Sequence, residues 1–443
     1  MKDGITVNIG FDDTDSTVGM CTTYLAFKMV DKLEKNKNTK IIELPNLLRF
    51  NPNIPWKTRG NGAVGLKIET RDLDWVKKTC ISLIEKFSDV EHGANPAIIF
   101  HTGIITEKIK KFSRLSLYQL IPRRQAKRIV SESNIDTFHI GNGQGLIGSL
   151  GAVGYEFNDY TFEMLAYRKK SKFGTTRYIS KDDVKNIQRF IPNTYNSFDL
   201  QADKIMISPH GPDPVFYGIR GEDTSSLLDA SQLIKVKEDL DGYMIFKSNQ
   251  GTGDHLRNEI EPDMIKPFTS GVISGEITSD PIQYNGGHAF FTVKTTKGDV
   301  DCAVYKETGM VQRVVLKLIK GDRVSLGGGI RRATKRYSNV LNVEFIDILH
   351  LQNKTTMKNP FCYTCNKSMK SKGRGQYFEC SKCGKRSNTI HKINHKILRT
   401  VESKLYLPIL SAQRHLTRPQ ERLGITNNTE IAINTIPWFR KFQ

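Results

Sequence analysis

Four cysteines near the end of the chain leave little freedom in how that end folds. Cys362 and Cys365 are separated by two residues, as are Cys380 and Cys383, and fourteen residues lie between the pairs. Two such pairs gather four thiolates at one point, the donor set of a tetrahedral zinc ion, and Gly384 suits the tight turn after Cys383. A shell of four cysteines leaves no open coordination position, so the expected role is structural; a redox pair of dithiols is the competing reading. A unit this small folds with its metal. The rest of the 443 residues must therefore supply cores of their own. Cys21, Cys80 and Cys302 are scattered, which is the usage of a reducing compartment and not of a disulfide framework.

The same end is basic. Residues 354–443 hold 18 Lys and Arg against 4 Asp and Glu, so +14 of the chain's +20 lies there. Such a field fits a polyanion, nucleic acid before an anionic membrane. Lys370, Lys372 and Arg374 sit among Tyr363, Tyr377 and Phe378, and cations beside aromatics suit phosphate contact and base stacking. A solvated basic surface is the competing reading. No apolar run approaches the ~18 residues of a membrane span, and the start lacks a signal peptide's apolar core. A cytoplasmic protein with no membrane partner is expected, and no obligate protein partner.

The patterning changes along the chain. Residues 1–135 alternate strand and helix patterns, an α/β layout. Residues 136–262 read as a second, α+β unit. Residues 263–353 carry five short β-rich segments with a helical pattern, Met310 to Leu318, between the third and fourth. That order suggests an OB-fold β-barrel, with another small barrel as the alternative. The barrel has its own basic run, Arg331, Arg332, Lys335 and Arg336. The zinc ribbon takes 354–390, and 391–443 read as a basic C-terminal tail.

Chemistry concentrates at the first strand. Ile5 to Phe11 runs into Asp12-Asp13-Thr14-Asp15. Carboxylates this crowded repel one another unless a divalent cation or solvent neutralises them. Gly19 then precedes a helix whose first turn holds Cys21, Thr22 and Thr23, and a helix N-terminus favours phosphate. Together these suggest a Mg-nucleotide site. Asp13-Thr14-Asp15-Ser16-Thr17 also matches the DxDxT nucleophile motif of haloacid-dehalogenase-type phosphatases, but Asp182-Asp183, the paired acids available to complete it, do not follow an apolar strand. A loop with two prolines, Asn51 to Ala63, brings Lys57, Arg59 and Asn61 as candidate phosphate contacts. Asp213, Glu222 and Asp223 lie in Gly-rich turns whose carboxylates could hold a cation.

Taken in order, these motifs resemble the archaeal tRNA-Ile agmatidine synthetases. The resemblance rests on Ile9 through Ser16, Gly19 through Leu25, Asn51 through Val64, Gly145 through Gly148, Tyr217 through Glu222, Gly286-Gly287-His288 and the cysteine ribbon. It implies a kinase-like catalytic domain, a ferredoxin-like domain, an OB-fold and a zinc ribbon. The activity it implies is a ligase reaction: ATP phosphorylates the carbon-2 carbonyl of the wobble cytidine in an isoleucine tRNA with a CAU anticodon, and agmatine displaces the phosphate. Agmatidine, AMP and phosphate result, and the tRNA then reads AUA. Asp12, Asp13 and Asp15 would hold Mg²⁺, Thr22 would be autophosphorylated, and Gly19, Thr23, Lys57, Arg59 and Asn61 would meet ATP. Asp213, Glu222 or Asp223 would take agmatine's guanidinium. The cations named above, on the barrel and the ribbon, would meet tRNA. A non-catalytic RNA- or ssDNA-binding protein built from barrel and ribbon is the remaining alternative.

Overall fold

In the computed structural model of the chain, which describes residues 4–261, 263, 265–334 and 338–443, the first strand, β1 (Ile5–Asp12), buries Val7, Ile9 and Phe11 completely on alternate positions. The chain continues through α1 (Thr22–Leu33), β2 (Thr39–Ile41), β3 (Asn46–Arg49), β4 (Gly62–Thr70), α2 (Leu73–Phe87), β5 (Ala97–Thr102), α3 (Glu107–Ser116), α4 (Arg123–Glu132) and β6 (Asp136–His139). Pro122 separates α3 from α4, as its missing amide requires. Then come α5 (Leu146–Gly154), β7 (Thr161–Arg168), α6 (Lys181–Phe190), β8 (Thr194–Tyr195), β9 (Phe198–Asp199), β10 (Lys204–Ile205), β11 (Val215–Gly221), α7 (Thr224–Gln232) and β12 (Leu240–Ser248).

The two lobes share one sheet of eleven strands, with the main order β6-β5-β1-β4-β3-β12-β7-β11-β8. The seam is the parallel pairing of β3 with β12, at Lys247↔Asn46 and Ser248↔Leu47. β1 runs antiparallel to both β4 and β5. The phosphatase reading fails here, because Asp182 and Asp183 lie in the first turn of α6, capped by Ser180, and not at a strand end. Helix α5 follows the first lobe in sequence but packs back on it, with Leu146, Leu150 and Val153 against Ala97, Ile99 and Phe112.

The barrel strands are β13 (Ser270–Ile277), β14 (Ile282–Gln283), β15 (Ala289–Thr295), β16 (Gly298–Val304), β17 (Arg323–Arg331) and β18 (Val340–His350), with α8 (Met310–Val315) after β16. β13 pairs with both β15 and β17, and β18 pairs antiparallel with β17 and parallel with β16. Five strands thus close around Ile273, Val293, Val304, Leu326 and Ile346, while β14 extends one edge.

The ribbon stands on a two-stranded stalk. β19 (Thr355–Lys358) leads into β20 (Lys370–Ser371), β21 (Phe378–Glu379) and β22 (Arg386–Ser387), and β23 (Ile393–Lys396) returns along β19. The chain beyond it comes back to the body: β24 (Leu405–Tyr406) pairs with β18, and β25 (Phe439–Lys441) pairs with β12. Residues 391–443 are therefore woven into the fold. Composition could not show this, because the acidic partners of their cations lie far away in the sequence. No helix among the described residues is long and apolar enough to cross a membrane.

Candidate active site and metal centre

β1 ends on Asp12, and the next residues fold into a tight turn. Asp13 adopts a left-handed φ of 59°, a conformation Asp tolerates better than most residues. Ser16 Oγ accepts from the Val18 amide at 2.9 Å, and Thr14 Oγ1 donates to Thr22 Oγ1 at 3.0 Å. Asp12 meets the start of α5, where a Cβ on Gly148 would lie 1.9 Å from its Oδ2. Only glycine admits the carboxylate at that helix N-terminus.

Burial holds the Asp12 carboxyl well above the usual carboxylate range, with Asp13 and Asp15 adding to the rise. Burial and then Asp15 raise Asp13 to about 6, against the Asn95 amide. Asp15 is also raised by burial, although Arg59 opposes it. Acids raised in this way gain from a nearby cation, which favours their charged form. Their oxygens do not converge as a ready-made cage: among the described residues, the one group of three or more ligand-type side chains with donor atoms within 4.8 Å is the four cysteines.

A cleft of about 580 Å³ opens over this turn, lined by Asp12, Asp13, Asp15, Lys57 and Asn61 together with Trp56, Asn95 and Gln144. Lys57 is half-buried, which lowers its pKa, and Arg414 adds to the effect. Asn61 takes a φ of 51° and ties the loop to Asn51 O at 2.9 Å. The other candidates are not part of this lining. Arg59 donates to the carbonyls of Met20 (2.9 Å), Ser16 (3.1 Å) and Gly19 (3.3 Å), and bridges Asp15 and Asp213 at 3.7 and 3.5 Å. It locks one loop to the other. Thr22 and Thr23 are buried, and Thr23 Oγ1 lies 3.0 Å from Cys21 Sγ.

The structure separates the three carboxylates considered for a guanidinium. Asp213, 4% exposed, meets Arg59 at 3.5 Å and Arg177 at 3.4 Å, and accepts from the Val215 amide at 3.0 Å. Glu222 is held by Arg422 at 2.5 and 3.1 Å and by Asn427 at 2.8 Å. Asp223 caps α7, accepting from the Ser226 amide at 2.7 Å. Sequence reading misses a polar knot at the lobe seam. There Glu163 accepts from Arg220 (3.1 Å) and Gln250, and His415 lies 2.9 Å from both Gln250 and Arg220. Burial, Arg49, Arg220 and Lys57 push His415 far below its ordinary pKa, so it is neutral. Arg220 falls in the Tyr217–Glu222 motif, but Glu163, Gln250 and His415 come from distant segments, so no spacing in the sequence marks the group as one.

At the ribbon the four Sγ atoms gather within 4.8 Å, and Cys362 Sγ is 3.6 Å from Cys383 Sγ. The two knuckles repeat one another. Cys362 N donates to Lys367 O and Asn366 N to Cys362 O; Cys380 N donates to Lys385 O and Gly384 N to Cys380 O. Asn366 and Gly384 both take a left-handed φ. Backbone amides of Cys365 and Thr364 lower Cys362 to about 6, which favours the thiolate a metal needs. The donor set fits tetrahedral zinc. Chelation is expected to release one zinc and to collapse the amide NMR signals of residues 359–390, leaving the barrel's signals in place; retention of the ribbon signals without metal would refute a structural role.

The cations considered for tRNA lie on two surfaces. Lys370, Lys372 and Arg374 are exposed on the ribbon, with Lys372 3.2 Å from Glu379. Lys385 stands over Tyr363 and Arg386 over Tyr377, 4.2 and 5.0 Å from the ring centroids. Arg331 reaches Tyr305 Oη at 3.2 Å and Arg332 is exposed, while Lys335 and Arg336 lie outside the described residues.

Family models described as the TiaS TCKD domain, the TiaS FLD domain and the TiaS C-terminal zinc ribbon domain match residues 8–142, 143–255 and 359–401. The isoleucine-tRNA 2-agmatinylcytidine synthetase TiaS from Cenarchaeum symbiosum is 45% identical over 440 residues, spanning 99% of this chain and 98% of its own. Its counterpart from Archaeoglobus fulgidus is 35% identical over 419 residues, spanning 94% and 97%. Among solved structures, a complex of TiaS with its isoleucine tRNA and ATP is similar with a TM-score of 0.85 at 32% identity, over 97% of this chain and all of that one. A complex of TiaS with the same tRNA, AMPCPP and agmatine gives 0.82 at 31% identity, over 95% and 98%.

Proposed function

Since this chain belongs to the TiaS family, we propose that it is an ATP-dependent ligase that joins agmatine to carbon-2 of the wobble cytidine of an isoleucine tRNA. The observation that carries the reading is the match, over 95% of the chain, to a relative solved with its isoleucine tRNA, an ATP analogue and agmatine together. The cleft supplies what the reaction needs. A ring carbonyl is a poor electrophile, and its oxygen leaves poorly. Transfer of a phosphoryl group to that oxygen makes it a leaving group; the agmatine amine then attacks carbon-2, the C–O bond breaks and phosphate departs.

In this reading Asp12 and Asp13 would hold Mg²⁺, an ion that takes one or two carboxylates beside phosphates and water. When bound, it neutralises charge on the transferring phosphoryl group. Lys57, in the lining of the same cleft, meets the phosphates. Arg59 keeps Asp15 and Asp213 in place, and Asp213 is our choice for the guanidinium, because it shares Arg59 with Asp15 of the acidic turn, whereas Glu222 belongs to the Arg422 clamp and Asp223 caps α7. Thr22 as phosphate acceptor requires the Thr14–Thr22 turn to open. We assign the two lobes as kinase-like and ferredoxin-like, and the barrel as an OB-fold, whose parallel third and fifth strands and intervening helix it shares. A cytoplasmic location follows from the tRNA substrate.

The test is incubation with ATP, labelled agmatine and an isoleucine tRNA transcript with a CAU anticodon. Label is expected in the RNA, and none in a transcript whose wobble base is not cytidine. Tight tRNA binding without label would support the non-catalytic alternative.

A further inference from the structure

One large aromatic side chain in the cleft wall is left uncovered. Trp56 is 67% exposed, yet it lines the cleft beside Lys57. An indole there offers a broad apolar face with a polar N–H edge to whatever enters the cleft.

Its loop is held firmly. Asn51 is fully buried; its Oδ1 accepts from the Asn53 amide at 3.0 Å and from Ser270 Oγ at 2.9 Å, and its Nδ2 donates to Phe268 O at 2.7 Å. Asn53 Nδ2 donates to Ser270 Oγ at 2.7 Å. Pro52 and Pro55 stiffen the span between these anchors and Trp56. The barrel contributes a second observation. Phe268 takes a φ of 68°, a conformation bulky residues avoid and which concentrates at functional sites. Its amide donates to Ile330 O at 2.8 Å, and its ring meets Trp56 edge-on, 6.1 Å between centroids at 60°. The strained Phe268 braces an indole whose surface is mostly free.

We propose that Trp56, buttressed by Phe268, is a stacking platform for a nucleobase adjacent to the target cytidine. The inference rests on the ligase reading. For the cytidine to reach Asp12 and Asp13 it must leave the stack of the anticodon loop, and its neighbour then loses a stacking partner. An indole at the cleft wall replaces that partner without demanding a particular base. The surroundings suit RNA: Lys57 follows Trp56, and Arg331 and Arg332 follow the Ile330 that anchors Phe268.

The test compares Trp56→Ala with Trp56→Phe in the full chain. The probes are a tRNA transcript carrying 2-aminopurine beside the target cytidine and the labelled-agmatine assay. Trp56→Ala is expected to raise Kd and KM for tRNA about tenfold with KM for ATP unchanged, and to abolish the quenching of 2-aminopurine on binding. Trp56→Phe is expected to stay within about threefold and to quench. Unaltered tRNA affinity and quenching in Trp56→Ala would overturn the platform. So would equal losses in both variants accompanied by a lower melting temperature, since that is a packing role. If the unaltered protein quenches the probe but labels no RNA, the ligase reading fails and the platform stands.

Discussion

Replacing Asp13 by Asn is expected to abolish agmatine transfer while making the metal-free protein harder to unfold. The carboxyl is raised from 3.8 to about 6 by burial and by Asp15. A raised acid favours the protonated form, so its contribution to stability is fully present below pH ~3.8 and is lost as pH rises through about 6. At ~1.4 kcal/mol per unit, the ionised group costs on the order of 2–3 kcal/mol at neutral pH. Asn keeps the shape, tolerates the left-handed φ and removes the charge. Transfer should fall by about three orders of magnitude, because the charge facing the cation and phosphates is gone. Denaturant titration of both proteins between pH 4 and 7.5 checks the sign: the gap should open as pH rises and close when Mg²⁺ and ATP are added to the unaltered protein. A less stable variant at pH 7.5 would refute the strained-acid account.

Replacing Arg422 by Ala should cost about 3–5 kcal/mol of unfolding free energy, the usual penalty for stranding buried charge. Arg422 is fully buried. It meets Asp159 Oδ1 at 3.0 Å and Oδ2 at 3.2 Å, Gly251 O at 2.8 Å and Glu222 Oε1 at 2.5 Å. Its removal leaves Asp159, 1% exposed, and Glu222 with fewer partners in low dielectric. Arg418 still reaches Asp159 at 2.6 Å, which keeps the loss toward the lower end. Urea denaturation against Arg386→Ala, an exposed ribbon cation, supplies the comparison; a loss below ~1 kcal/mol would show that the clamp carries little weight. The same contacts make truncation a poor probe of the basic end. Removing residues 405–443 deletes β24, β25 and this clamp along with any tRNA contact.

Much is legible in the sequence where the signal is local. The period-two burial of Val7, Ile9 and Phe11, the helix after Gly19, the break at Pro122 and the barrel's strand–helix order all depend on neighbours in the chain. Three strands of the first lobe carry no clear sequence signal: Asn46–Arg49, Ala97–Thr102 and Asp136–His139. The first is short, the second is a continuous apolar run that could equally be a buried helix, and the third is a largely exposed edge strand. The helix Lys181–Phe190 is also hidden, because its polar face outweighs Val184 and Ile187.

By itself the sequence determined the cluster of four cysteines, the acidic turn and the place of the basic charge, because each depends on residue identity at short spacing. The tertiary structure decided what those charges do. Arg399 goes to Asp322, Arg414 to Glu344, Arg418 and Arg422 to Asp159, and Lys441 to Asp31. Much of the positive charge after the ribbon is therefore spent within the fold on buried acids, and the ribbon keeps the freer share. It also decided which candidates face the cleft, placing Lys57 and Asn61 in its wall and pinning Arg59 to the loop at Ser16–Met20. The physical reason is one of range. A thiolate knuckle is built within a few residues, whereas a buried ion pair is chosen by whichever distant segment the closed sheet and barrel bring within about 3 Å.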